Sequence, residues 1–436
     1  MAADKGGKSE GSTSWTPVST AMRYSIVSLA RNALTGHAHW PRAWRDPPLQ
    51  QAYDAVIVGG GGHGLATAYH LARDHGLNRV AVLEKGWLGG GNTARNTVTI
   101  RANYLREPSM RFYAASIALW EKLSQTLNYN VMFSQRGQID LIQTWGKLRD
   151  VKRRQAALRL IGVPFEILTL AEAKARLPLL DPAAPVRLPV LAATWHPTAG
   201  VARHDAVAWG YARAADAMGV DIVQNCEVRA IRREGGRVIG VETSRGFVAA
   251  PRVALCVAAH AGVLAGSAGF RLPIETVPLQ AFVSEPLKPM LDVIVNIPQF
   301  ATYFSQSDKG ELVIGGGADM YPSYAARGSF AVVEEAIAAM LSLFPALGRV
   351  RMLRQWAGSI DLCHDITPIL SPSPVEGLSL SVGWGSGGFK AIPIGGVTLA
   401  HLIATGRPHP LAEHLLLSRF ARGRPLFETA GASNRI

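Results

Sequence analysis

Residues 53–84 read YDAVIVGGGGHGLATAYHLARDHGLNRVAVLE, and the fold is decided here. The apolar run at residues 55–58 is short and β-rich, as a buried parallel strand should be. It leads straight into Gly59, Gly61 and Gly64 at GxGxxG spacing. At that spacing the first glycine permits a tight turn and the second lets a pyrophosphate approach the backbone. The third lets the following helix, expected over residues 62–73, pack close on its strand. Phosphates would then lie on helix N–H groups. A second strand over residues 80–83 ends in Glu84, twenty positions beyond Gly64, where a carboxylate accepts hydrogen bonds from an adenosine ribose. Glycines at this spacing also occur in ordinary flexible loops. A strand before, a helix after and an acid at the right distance point instead to a dinucleotide. The acidic strand end argues against a 2′-phosphate and leaves NAD and FAD both open.

The rest of the composition fits a globular protein. At 436 residues and 48% hydrophobic, the chain can build two domains, or one interrupted by another. Lys plus Arg exceed Asp plus Glu by 45 − 32 = 13. The basic residues are scattered, as in residues 152–154, 229–233 and 419–424, with no aromatic-interleaved groove. That pattern argues against nucleic acid and suits a surface facing a negatively charged subunit. Cys226, Cys256 and Cys363 stand far apart without CxxC spacing and read as buried, inert thiols. With no run of eighteen apolar residues and no signal-peptide core, the expected compartment is a reducing cytoplasm.

In chain order, residues 1–21 read as a disordered tail. Residues 24–34 form an amphipathic stretch, followed by Trp40, Pro41 and Trp44. Such an arm either docks on a partner or folds back on its own domain. Residues 86–104 are a polar loop with a second glycine cluster. Helical periodicity over 110–123 and 147–161, with a short β segment near 133–142, predicts an insertion covering one end of the sheet. Asp205 is expected to cap a helix over 206–218 that Gly219 ends. A third parallel strand follows at 221–226. Residues 228–233, 238–244 and 247–257 alternate as a meander. Residues 270–315 read as an antiparallel sheet of a second domain, with a helix over 334–343. The chain then returns to the first domain through 354–360, with a further strand at 378–382 and a closing helix at 396–405.

The predicted class is α/β: a discontinuous Rossmann-like domain of the glutathione reductase type, interrupted by an α+β substrate domain with an antiparallel sheet. Its segments are 51–106, 196–265 and 355–436. Residues 107–195 and 266–354 form the substrate or cap domain, and 1–50 are the tail and docking arm.

The combination of YDAVIVGGGGHG, VLEKGWLGGGNTARNT, IRANY and GWGSGGFK resembles the FAD amine oxidase family of glycine oxidase, D-amino acid oxidase and sarcosine oxidase, over nearly the whole chain from Met22. MRYSIVSLARNAL, HWPRAWRDP, GVARHDAVAW and MGVDIVQNCEV are similar to a narrower group, the β subunits of heterotetrameric sarcosine oxidases. The resemblance implies noncovalent FAD held by Gly59, Gly61, Gly62, His63 and Gly64, with Glu84 on the ribose. Asn92, Thr97 and Thr99 would approach from the next loop, Val228 from the adenine side, and Gly385, Gly388 and Lys390 over the isoalloxazine. It implies FMN tethered covalently to His204, because Ala206 stands where a relative carries a second histidine. By itself His204 is only a histidine ahead of a helix. Partners would be α, γ and δ subunits, with NAD and tetrahydrofolate on α.

Oxidising a secondary amino acid requires an unprotonated amine and a pinned carboxylate. By resemblance to monomeric sarcosine oxidase, Arg101 and Lys390 are the carboxylate clamp, with Tyr104 completing the pocket. The competing readings are an ordinary surface ion pair for Arg101 and a phosphate contact for Lys390. Val98 replaces a second arginine of monomeric sarcosine oxidase, and near Val313 the oxygen-activating lysine is missing. The resemblance therefore implies hydride entering FAD, electrons passing to FMN, and oxygen becoming hydrogen peroxide there. The imine product would yield glycine and formaldehyde, or 5,10-methylenetetrahydrofolate. The alternatives are a single-flavin dehydrogenase or oxidase of dimethylglycine, glycine or a related amino acid, and an electron-transfer or assembly subunit.

Overall fold

A computed structural model describes residues 26–38, 42–183 and 186–428. The opening stretch forms strand Ala55–Val58, helix Gly62–His75 and strand Val80–Leu83. Both strands are buried along their whole length and run parallel, Val56 opposite Ala81. The chain leaves the first strand at Gly59, whose φ of +107° lies outside the range comfortable for a side chain. A Cβ on Gly64 would stand 2.0 Å from the Gly59 carbonyl oxygen. Only glycine therefore lets this helix sit so close on its strand.

These strands are the centre of a six-stranded sheet. Its order is Ile369–Pro372, Leu378–Val382, Val253–Leu255, Ala55–Val58, Val80–Leu83, Asp221–Val223. Every neighbouring pair is parallel except the first. Helices Gly62–His75 and Ile392–Thr405 pack on each other, and both are buried along most of their length. A meander of Val228–Glu234, Arg237–Thr243 and Gly246–Ala249 carries the chain from Asp221–Val223 back to Val253–Leu255. The single strand expected over residues 247–257 is two strands: the first half pairs within the meander and the second within the parallel sheet.

The second sheet has eight strands. Their order is Met352–Cys363, Ile274–Pro286, Glu311–Ala318, Thr302–Gln306, Ile294–Ile297, Gln138–Ile142, Ala192–His196, Glu166–Leu168. Pairing is antiparallel except between Ile294–Ile297 and Gln138–Ile142. Residues 107–195 therefore do more than cover one end of the first sheet, since three of their strands complete the second. The expected return through 354–360 does not occur there. Met352–Cys363 stays paired with Ile274–Pro286 from end to end, because leaving midway would strand a row of backbone donors and acceptors. The chain regains the first sheet at Ile369–Pro372.

Smaller differences have local causes. Helix His204–Ala217 starts after Arg203, so Asp205 lies in its first turn rather than capping it. The Asp205 carboxylate pairs with Arg203 at 2.8 Å. The closing helix begins at Ile392 rather than 396, with Pro393 in the first turn, where its missing N–H costs nothing. Two arginines from the runs read as surface charge, Arg154 and Arg419, are 4% and 5% exposed. Helical periodicity turns Arg154 inward, onto Asp150 at 2.8 Å. All three cysteines are free, Cys226 and Cys363 buried and Cys256 partly so. Burial pushes the Cys256 and Cys363 thiols up to about 12. Among the described residues no helix is long and apolar enough to cross a membrane. Helix Ile26–Leu34 buries none of its residues. The expected tail at 1–21, and Trp40 and Pro41, lie outside the described residues.

Residues 44–428 form one body, and Arg419 ties its last segment to the turn between the two sheets. Its Nε and Nη2 donate to Asp365 at 2.8 and 2.9 Å, and Nη2 also donates to the Thr367 carbonyl at 2.6 Å. Burial works to raise the Asp365 carboxyl, but the Arg419 guanidinium and the Leu426 and Thr367 N–H groups outweigh it and hold it below the ordinary range. A carboxyl depressed in the folded state stabilises above its unfolded value, and that stabilisation is lost as pH falls through the folded one. Replacing Arg419→Met should cost about 3–5 kcal/mol in urea unfolding at neutral pH. The deficit should shrink as pH falls below about 4; an equal deficit at both ends of that range contradicts the assignment.

Candidate functional site

The glycine turn and its neighbours form a cradle. Helix Gly62–His75 begins at Gly61 with no side-chain cap. Glu84, at the end of the second strand, accepts N–H bonds from Gly60 at 2.8 Å and Gly86 at 2.9 Å, so its carboxylate lies against the turn. The Thr93 hydroxyl accepts from the Gly62 N–H at 3.0 Å. Asn92 opens the short helix Asn92–Arg95 and donates to the Ser359 carbonyl at 2.7 Å, tying the second glycine cluster to the second sheet. Thr97 shares a 2.7 Å hydrogen bond with the Tyr303 phenol. Thr99 pairs with Val201 in a two-stranded ladder, Thr99–Ile100 with Gly200–Val201. An uncapped helix start, a turn without side chains and an acid beside it fit a pyrophosphate and its ribose. Val228 is different: its side chain is packed in the core cluster that includes Leu83 and Val223.

His63 joins this cradle to a second group. Its Nε2–H donates to the Gly388 carbonyl at 2.9 Å, and its ring stacks on Trp384 at 4.3 Å between centroids. Burial takes its pKa down to about 4, so the imidazole is neutral. Beyond Gly388 lies Lys390, 6% exposed. The Lys390 ammonium donates to the Ser386 carbonyl at 2.8 Å. Its own carbonyl is gripped by Ser116 Oγ at 2.6 Å and Trp120 Nε1 at 2.9 Å, both from helix Glu107–Thr126. Burial, and then the positive charge of Arg101, hold the Lys390 ammonium well below the usual lysine range. Arg101 Nη1 donates to Asn103 Oδ1 at 2.6 Å, and its Cζ lies 5.3 Å from the centre of the Tyr104 ring. Tyr104 stacks on Tyr113 with centroids 3.7 Å apart, and burial pushes its phenol up to about 12. Tyr104, Tyr113, Asp361 and Gly385–Gly387 line one cavity. Burial, against a hydrogen bond from Thr276, raises the Asp361 carboxyl to about 6.

The structure thus gathers Arg101, Tyr104, Gly385, Gly388 and Lys390, with His63 bridging to Gly59, Gly61, Gly62, Gly64 and Glu84. His204 lies elsewhere. The ladder is antiparallel, so Arg101, just past Ile100, and His204, past Val201, leave it from opposite ends. His204 is the first residue of its helix and half-buried; burial lowers its pKa, with the Asp205 charge opposing and the Arg203 charge adding. The imidazole is accordingly neutral, the form in which nitrogen is a nucleophile. Sequence reasoning missed Thr93, Asn103, Tyr113, Asp361, Trp384 and Ser386. Two of these lie inside the quoted glycine segment GWGSGGFK, and Asn103 lies two places after Arg101. Tyr113 and Asp361 carried no local signal.

The FAD dependent oxidoreductase family matches residues 54–402. A sarcosine oxidase subunit beta of Rhodobacter capsulatus is 52% identical over 94% of this chain and 99% of its own length. One from an Arthrobacter species is 48% identical over 89% and 96%. Among solved structures, L-proline dehydrogenase from P. horikoshii superposes with a TM-score of 0.81 at 28% identity, covering 87% of this chain and all of that one. Glycine oxidase from Geobacillus kaustophilus gives 0.75 at 25% identity, covering 85% and 99%. Near-complete coverage at half identity places the chain in the FAD dependent oxidoreductase family, among the β subunits of sarcosine oxidase.

Proposed function

We propose that this chain is the subunit at which sarcosine, or a close N-methyl amino acid, is oxidised, in a complex with α, γ and δ subunits. The observation that carries the reading is the buried Lys390 ammonium, which feels the positive charge of Arg101 and follows closely on Gly385–Gly387, which line a cavity with Tyr104. Two like charges in one partly desolvated place raise each other's energy. A carboxylate between them relieves both, and a guanidinium fork with an ammonium fixes it in one orientation. The same two charges disfavour a third cation, so a substrate amine bound there sheds its proton and presents the lone pair that oxidation requires. The neighbouring Tyr104 and Tyr113 rings and Trp384 supply apolar walls that exclude water.

FAD, which the family implies, would be held by the cradle at Gly59, Gly61, Gly62, His63 and Gly64 with Glu84, Asn92, Thr97 and Thr99; when bound it supplies the two-electron acceptor for the amine's carbon–hydrogen bond. The covalent FMN belongs to His204, whose half-buried neutral imidazole supports the attachment. Reduction of oxygen to hydrogen peroxide is assigned to that second site. NAD and tetrahydrofolate are assigned to the α subunit. There the imine product would give 5,10-methylenetetrahydrofolate, with glycine and formaldehyde as the alternative products. The relatives' designation as subunit beta supports a multi-subunit assembly.

Removing one member of a buried charge pair that binds substrate costs several kcal/mol. Lys390→Met should therefore lower kcat/KM for sarcosine about 10²- to 10³-fold while FAD content stays unchanged; a change under threefold contradicts the clamp. For His204→Ala in the co-expressed complex, flavin fluorescence should no longer stay with the denatured polypeptide. Sarcosine should still bleach FAD anaerobically, and peroxide formation should collapse. Full oxygen consumption by that variant rules out His204 as the oxygen-linked site.

A further inference from the structure

We propose that Asn103, itself held by Asp140, is the positioning residue for the Arg101 guanidinium, so that carboxylate affinity is set from inside the second sheet. The proposal rests on the reading of Arg101 as half of the clamp. Asn103 is 2% exposed and Asp140 5%. Asp140 sits at the centre of the fully buried strand Gln138–Ile142, where a carboxylate is costly unless its oxygens are occupied. They are occupied: Oδ1 accepts from Gln138 Nε2 at 2.6 Å and Asn296 Nδ2 at 3.0 Å, and Oδ2 from Asn103 Nδ2 at 3.4 Å. The other end of the same amide, Oδ1, takes the Arg101 Nη1–H at 2.6 Å.

The amide is matched to this place. A guanidinium can only donate and a carboxylate can only accept, so a bridge between them needs an acceptor at one end and a donor at the other. Asparagine carries both in one rigid plane, and its orientation is fixed by its two neighbours. An aspartate at position 103 would pair directly with Arg101 and compete with a substrate carboxylate, while facing Asp140 with like charge. Asparagine aims the guanidinium without itself adding a negative charge beside it.

The backbone around it is pinned as well. The Ala102 N–H donates to His196 Nε2 at 3.0 Å, and His196 Nδ1–H donates to the Pro164 carbonyl at 3.0 Å; burial keeps that ring neutral, with a pKa of about 4. Arg154 donates to the Asn103 carbonyl at 3.4 Å. The Glu428 carboxylate accepts the Leu105 and Arg106 N–H groups at 2.9 and 3.0 Å. With the loop fixed at both ends, the Asn103 amide bears directly on the aim of the Arg101 guanidinium.

The test is acetate binding by calorimetry to the assembled holoenzyme, with sarcosine KM and kcat alongside, for Asn103→Ala, Asn103→Asp, Asp140→Asn and Arg101→Met. Loss of one aligned hydrogen bond should raise the acetate Kd and sarcosine KM about tenfold in Asn103→Ala, with kcat within about threefold. Asn103→Asp should weaken acetate more than Asn103→Ala does, the outcome a merely structural role would not produce, and it carries the test if the alanine variant fails to assemble. Asp140→Asn should weaken acetate in the same direction. Asn103→Ala should add nothing on top of Arg101→Met. If Arg101→Met weakens acetate but neither Asn103 variant does, or if the two effects multiply, the positioning role is overturned. If Arg101→Met leaves acetate binding unchanged, the clamp itself is overturned.

Discussion

The Lys390 ammonium is buried and feels the positive charge of the partly buried Arg101, and the rest of the body holds both side chains in place. Helix Glu107–Thr126 grips the Lys390 carbonyl through Ser116 and Trp120, and the Ser386 carbonyl takes its ammonium. On the other side the loop at 101–106 is held by His196, Arg154 and Glu428, which come from three separate parts of the chain. Under the proposed reading, two cationic side chains held in this way are already arranged for a carboxylate. Little reorganisation is left for the moment of binding.

The two sheets divide the labour. The parallel sheet ends in the glycine cradle, as expected for a ligand bound beyond the carboxyl ends of parallel strands. The larger sheet supplies Asp140 and His196, which hold the Arg101 loop through Asn103 and Ala102, and Asp361, which lines the neighbouring cavity. Within the first half, His63 ties the glycine cradle to the segment after strand Leu378–Val382, with one hydrogen bond to Gly388 and one stacking contact to Trp384. His204 follows the short ladder from the end opposite Arg101.

Much of this could be read from the chain because the signals were local. Gly59, Gly64 and Glu84 act through spacing that a strand, a turn and a helix translate directly into geometry, and the Arg101 and Lys390 segments came with recognisable neighbours. What stayed hidden depends on long-range pairing. Nothing near Asp140 announces that its strand lies beside Ile294–Ile297 and within reach of Asn103. Arg154 and Arg419 looked like surface charge because burial is decided by which helix face meets the core. The return expected through 354–360 fails for a related reason: nothing local to these residues tells which sheet they join.

The central claim is that burial and the Arg101 charge lower the Lys390 pKa and that a bound carboxylate raises it again. Acetate titration of the holoenzyme in buffers of different ionisation enthalpy counts the protons taken up on binding. Above the lowered pKa of Lys390, uptake should approach one proton per acetate, vanish at lower pH, and be absent in Lys390→Met at every pH. Binding without proton uptake across that whole range contradicts it.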